Sequence, residues 1–177
     1  MKKGIIIGVV LFLIIALFFL LKSSIADDKP FNQVILSENN FILNNTNTSY
    51  YDTVLSVGLD LVGINGATIQ FENLSESAKS QFDGELKAHI RYYNNIYYLF
   101  IDNTSREESI QVIAHEIIHM IQYNSGQLKY DNQTGIIEWN GEQLTIETTE
   151  YDKRPWETDA FQRDNQLSNS IRDILYN

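Results

Sequence analysis

The chain of 177 residues contains no cysteine and has a net charge of −10, which excludes a disulfide framework and restricts any zinc ligands to histidines and carboxylates. Three of its 13 basic side chains, Lys2, Lys3 and Lys22, fall in the first 22 residues, which hold no acid. The rest sets ten basic against 23 acidic groups, which argues against nucleic acid and anionic lipid surfaces as partners.

Residues 5–21 form an unbroken apolar run of 17 residues, preceded by Lys2 and Lys3. A run of about 17–25 residues can span a bilayer as a helix. A secretory h-region is shorter, about 7–15 residues, which favours an uncleaved anchor over residues 1–26. The small-x-small sequence Ser24-Ile25-Ala26 keeps open the alternative, a signal peptide cleaved after Ala26 and a secreted product. In the anchored form the N-terminus is cytoplasmic and the body extracytoplasmic, because positive charge stays inside.

Residues 27–49 are rich in Asn, Ser and Thr and read as a polar tether, with one short strand at 33–36. The folded body is expected over 50–177, and a hydrophobic content of 44% suits one domain with a sizeable core. Tyr51, Val54, Leu55, Leu61 and Val62 follow a helical period, which predicts a helix over 50–62. Asn65-Gly66 marks a turn, 67–71 a strand, and 75–82 a helical turn. Residues 85–92 and 96–101 then read as a hairpin joined at 93–95. In its first strand Leu86, Ala88 and Ile90 alternate with Lys87, His89 and Arg91, so His89 falls on the polar side as a surface or edge residue.

A helix follows, from a cap at Thr104 or Ser105 to Gly126. It carries His115-Glu116-Ile117-Ile118-His119. Residues four apart share a helix face, so His115 and His119 can reach one Zn²⁺ at about 2.0–2.1 Å each. Glu116 projects beside that ion, where it can serve as general base. Short strands are expected at 127–130, 135–139 and 143–148, with a turn at Asn140-Gly141. Pro155 opens a last helix that runs to about Tyr176. Its first turn holds Glu157, a carboxylate that can complete a His₂Glu set with one position left for water.

HEIIH at 115–119, with Glu157 and Ala160 downstream in Pro-Trp-Glu-Thr-Asp-Ala, resembles the gluzincin group of zinc metallopeptidases over roughly residues 50–177. The resemblance implies an α+β, zincin-like minimal core. That core is a small mixed or antiparallel sheet with an edge strand beside the HExxH helix, plus a C-terminal helix. It further implies one Zn²⁺ per chain on His115, His119 and Glu157, with Glu116 as catalytic base and a peptide or protein as substrate. The edge strand would pair with the substrate backbone. Many gluzincins place an Asp four residues after the ligand Glu, where it bonds a ligand histidine; here that position is Phe161. Asp164, two turns beyond Glu157, or Asp159 is the substitute expected on helix geometry. Tyr123, Tyr151 and His89 are candidate donors to a developing oxyanion. The alternative is an inactive zincin-fold module that binds metal or a partner without turnover.

Overall fold

The computed structural model describes residues 32–37, 40–46, 48–80, 86–131, 133–144 and 150–177. The apolar run 5–21 and the cleavage sequence 24–26 lie outside them. Among the described residues no helix is long and apolar enough to cross a membrane.

The fold is α+β. Strands β1 (Asn32–Ser37), β2 (Asn40–Asn44), β3 (Thr68–Asn73), β4 (Ala88–Tyr93) and β5 (Ile96–Ile101) form one mixed sheet in the order β1-β2-β3-β5-β4. β2, β3 and β5 are parallel, while β1 and β4 run antiparallel at the two edges. Three helices supply most of the remaining core: α1 (Tyr50–Val62), α3 (Arg106–Asn124) and α4 (Pro155–Tyr176). A short α2 (Glu76–Ser80) lies between β3 and β4. A second, smaller antiparallel sheet holds β6 (Leu128–Tyr130), β7 (Ile137–Trp139) and β8 (Glu142–Leu144). Residues 145–148 of the expected third strand are outside the described set.

The body begins earlier than expected. Residues 32–44 are not a tether: β2 pairs in parallel with β3 and brings β1 onto the sheet. β2 joins β3 through α1, the crossover that parallel pairing requires. Gly63, at φ 70°, ends α1. Its N–H donates to Asp60 O and that of Ile64 to Leu59 O, the paired bonds of a Schellman ending. The hairpin turn is shorter than 93–95, because Tyr93 pairs with Ile96. Only Asn94 and Asn95 turn, both at positive φ, as a two-residue primed turn demands.

The core lies between the sheet and the helices. Ile42, Ile69, Phe71, Ile90, Leu99 and Ile101 from the strands meet Val54, Leu55, Ile113, Ile117 and Ile171 from the helices. α3 packs beside edge strand β4, and α4 packs across both α3 and α1. Gly58 of α1 faces this crossing. A Cβ there would stand 2.3 Å from Ile117 Cδ1 and 3.1 Å from Ile171 Cδ1, so any side chain at this position requires the Ile117 methyl to move. Leu128, Ile137 and Trp156 form a second cluster that seats the small sheet on the start of α4.

Candidate metal centre

Two helices bring the site together. On α3, Ser105 caps the N-terminus by accepting from Glu108 N at 3.2 Å, which fixes where the helix starts. The helical period then stacks His115 over His119. On α4, Pro155 occupies the first turn and aims Glu157 back at α3.

His115 Nε2 lies 3.2 Å from His119 Nε2 and 3.2 Å from Glu157 Oε2, and His119 Nε2 lies 3.3 Å from that same oxygen. All three residues are buried. Around a tetrahedral ion with bonds of about 2.0 Å, neighbouring ligand atoms stand about 3.3 Å apart. The triangle therefore has the size that such an ion requires.

The tautomers fit as well. His115 Nδ1 is 3.0 Å from Asp164 Oδ2, and His119 Nδ1 is 2.8 Å from Gln122 Oε1. Gln122 Nε2 donates to Trp156 O at 2.9 Å and to Asp159 Oδ2 at 2.8 Å. Those two oxygens only accept, so the amide nitrogen must face them and the amide oxygen must face His119. Each imidazole thus donates its Nδ1 hydrogen outward and turns an Nε2 lone pair inward. When both imidazoles are neutral, three acceptors converge there, an arrangement that a proton or a metal cation can satisfy.

The electrostatics agree. Burial works to lower the His115 pKa, yet the carboxylates of Glu157, Glu116 and Asp164 outweigh it and raise it to about 9. Burial likewise opposes the charged form of His119, and Glu157 reverses the effect. Burial works to raise the Glu157 pKa, but the two imidazoles hold it well below the usual carboxylate range. The same negative field that draws protons onto both rings is suited to a cation. His115, His119 and Glu157 can hold one.

Glu116 is buried next to the triad, and its Oε2 has no hydrogen-bond partner. Burial pushes its pKa up. Together with His115, Tyr151 and Phe161 it faces a cavity of about 550 Å³. Trp156 Nε1 donates to Glu157 Oε1 at 3.1 Å, and the Tyr151 hydroxyl hydrogen-bonds the same carboxylate. The Phe161 ring rests on His115 with centroids 4.6 Å apart.

The sequence candidates separate accordingly. Asp164 bonds the ligand His115, and Asp159 acts one step back, through Gln122. Tyr151 lines the cavity. Tyr123 is half-buried near Glu116 and Glu157, whose charges, after burial itself, raise its pKa. His89 is not part of the site. Strand alternation turns it to the opposite face of β4 from Ala88 and Ile90, where it stacks on Phe100 at 4.6 Å. It does not line the cavity as an oxyanion donor would, and it stands on an edge strand, as expected. Both ring nitrogens are buried without a partner, and burial lowers the pKa to about 4. Sequence reasoning missed Gln122 and the Trp156 indole. Gln122 is three residues past His119, a spacing at which helical side chains meet.

No protein-family model, curated protein sequence or solved structure matches this chain. The chemistry of the centre rests on its own residues.

Proposed function

We propose that this protein is a zinc-dependent metallopeptidase of the gluzincin type, membrane-anchored or secreted, acting outside the cytoplasm. The observation that carries the reading is the triangle of His115, His119 and Glu157 with Glu116 beside it, whose Oε2 has no partner, and the cavity on which His115 and Glu116 open. Two imidazoles and one carboxylate favour zinc over harder cations such as magnesium or calcium. The α+β body, with its antiparallel edge strand β4 beside α3, is compatible with a zincin-like core.

Bound zinc would supply Lewis acidity, lowering the pKa of a water and polarising the scissile carbonyl. Glu116 accepts the proton of the attacking water and returns it to the leaving amine. β4 offers its free edge to an extended peptide backbone. Tyr151 lines the same cavity and would become a donor to the developing oxyanion on leaving the Glu157 carboxylate. Asp164 and Gln122 keep both imidazoles in the ligating tautomer.

A second reading, a zincin-fold module that binds metal without turnover, is favoured by one observation: Phe161 covers part of His115. One experiment separates the two. The purified full-length protein is loaded with zinc and given a mixed peptide library, alongside Glu116→Gln. The peptidase reading expects one zinc in each and cleavage only with Glu116. Zinc in both with no cleavage in either leaves the module.

A further inference from the structure

We propose that Trp156 is a positioning residue for the metal: its indole N–H engages Glu157 Oε1, so that Glu157 binds the ion through Oε2 alone and the centre keeps four positions, one of them open. The inference deepens the zinc reading above and rests on it, but it does not depend on turnover.

The two oxygens of Glu157 have different surroundings. Oε2 lies 3.2 Å from His115 Nε2 and 3.3 Å from His119 Nε2, at a corner of the ligand triangle. Oε1 accepts from Trp156 Nε1 at 3.1 Å. An indole N–H only donates, and the oxygen it engages has that much less to give a cation. The carboxylate is thereby divided into a metal-facing oxygen and a protein-facing one. A glutamate free to turn can offer both oxygens to one ion, as in calcium sites. With two imidazoles and a water that would exceed the four positions of a catalytic zinc site at rest.

The bond is not a by-product of the helix. Consecutive helical residues do not face each other, yet the donor and the acceptor are Trp156 and Glu157. The ring reaches its neighbour because it is held from outside α4. Leu128 of β6 and Ile137 of β7 pack with it, and Trp156 is only 4% exposed. Gln122 Nε2 of α3 holds the Trp156 carbonyl at 2.9 Å. The small sheet thus acts on a centre to which it gives no ligand: it seats the ring, and the ring sets the carboxylate. Tyr151 also bonds that carboxylate, but it lines the cavity and is free to leave. The indole is locked in the core beside the small sheet and stays.

The test uses full-length protein loaded with zinc or with cobalt(II). Wild type is compared with Trp156→Phe, with Tyr151→Phe, and with a protein carrying 3-benzothienylalanine in place of Trp156. The benzothienyl group has the size of indole and no N–H, so it keeps the packing where phenylalanine leaves a gap. X-ray absorption counts the nitrogen and oxygen neighbours of zinc. Visible absorption of cobalt(II), strong in four-coordinate sites and weak in higher ones, reads the same property independently. Expected are about four neighbours in wild type and Tyr151→Phe, and about five in both Trp156 proteins, with several-fold weaker cobalt absorption. An unchanged coordination number in the benzothienyl protein overturns the proposal, even where zinc affinity falls, because Trp156 then only packs. An equal shift in Tyr151→Phe overturns the assignment to the indole, and five neighbours in wild type overturn it as well. The expected shift without any Glu116-dependent peptide cleavage overturns the peptidase reading and leaves this one standing. A wild type that binds no zinc overturns both.

Discussion

Gln122 Oε1 lies 2.8 Å from His119 Nδ1, and the other end of the same amide holds α4 through Trp156 O and Asp159 Oδ2. One side chain thereby sets a ligand's tautomer and ties together the two helices that supply the ligands. Gln122→Leu removes both effects and should weaken zinc binding by about 10–100-fold. Gln122→Glu keeps the acceptor for His119 but sets a carboxylate against two oxygens, so it should retain more zinc affinity than the leucine variant while melting lower. Chelator competition and thermal melts on both variants measure the two effects separately.

Asp164 bonds His115 directly, whereas Asp159 reaches the site only through Gln122. Asp164→Ala should therefore lose about 10–100-fold in zinc affinity, and Asp159→Ala distinctly less. The order of the two dissociation constants is the observable.

If zinc is the proposed metal, its removal should lower stability, since His115 and His119 on α3 meet Glu157 on α4 only where the two helices are docked. At a free zinc concentration about 100 times the dissociation constant, the expected stabilisation is about 2.7 kcal/mol. Thermal melts with and without chelator should separate for the wild type and coincide for Glu157→Ala.

Asp52 gives a pH signature remote from the metal. It is buried in the first turn of α1, Oδ1 accepts from Asn44 Nδ2 at 2.6 Å, and Oδ2 has no partner. Burial raises its pKa from 3.8 to about 6, against the opposing Asn44 bond. Between those values the folded state holds more protons than the unfolded one, so this contribution to stability falls as pH rises. It is fully present below 3.8 and lost above about 6. Asp52→Asn should be more stable than wild type above pH 6, with the gap closing towards pH 4; urea melts across that range report it.

Gly58 of α1 packs against Ile117 of α3 and Ile171 of α4. Gly58→Leu should destabilise by about 1–3 kcal/mol through overpacking. It should also weaken zinc binding, because Ile117 stands between the two ligand histidines on α3 and cannot move alone. Denaturant midpoints and zinc titration read the two consequences.

The site was more legible in the sequence than the sheet. HEIIH and Pro-Trp-Glu point to a helix that presents two histidines and a helix that presents a carboxylate, because a 3.6-residue period converts spacing into facing. Asp164 could be preferred to Asp159 by the same arithmetic. β2 was hidden for a different reason. Its buried ends are Asn40 and Asn44, which read as polar loop residues. Asn40 Nδ2 donates to Ile64 O and Asn44 Nδ2 to Asp52, so both are buried at little cost. Hydropathy records the side chain, not the partner that satisfies it. The insertion of β5 between β3 and β4 is a long-range pairing that no local pattern encodes. His89 shows the limit of alternation as a guide: the outward side of an edge strand need not be wet.

Two of the three presumptive ligands ride on α3 and the third on α4, so the triangle exists only while the helices keep their register. A slip of one residue along the axis is about 1.5 Å, close to half an edge of that triangle. The centre is thus a gauge of how the last helix is seated, and truncation or crowding near the C-terminus would be felt as lost metal before it was felt as lost fold.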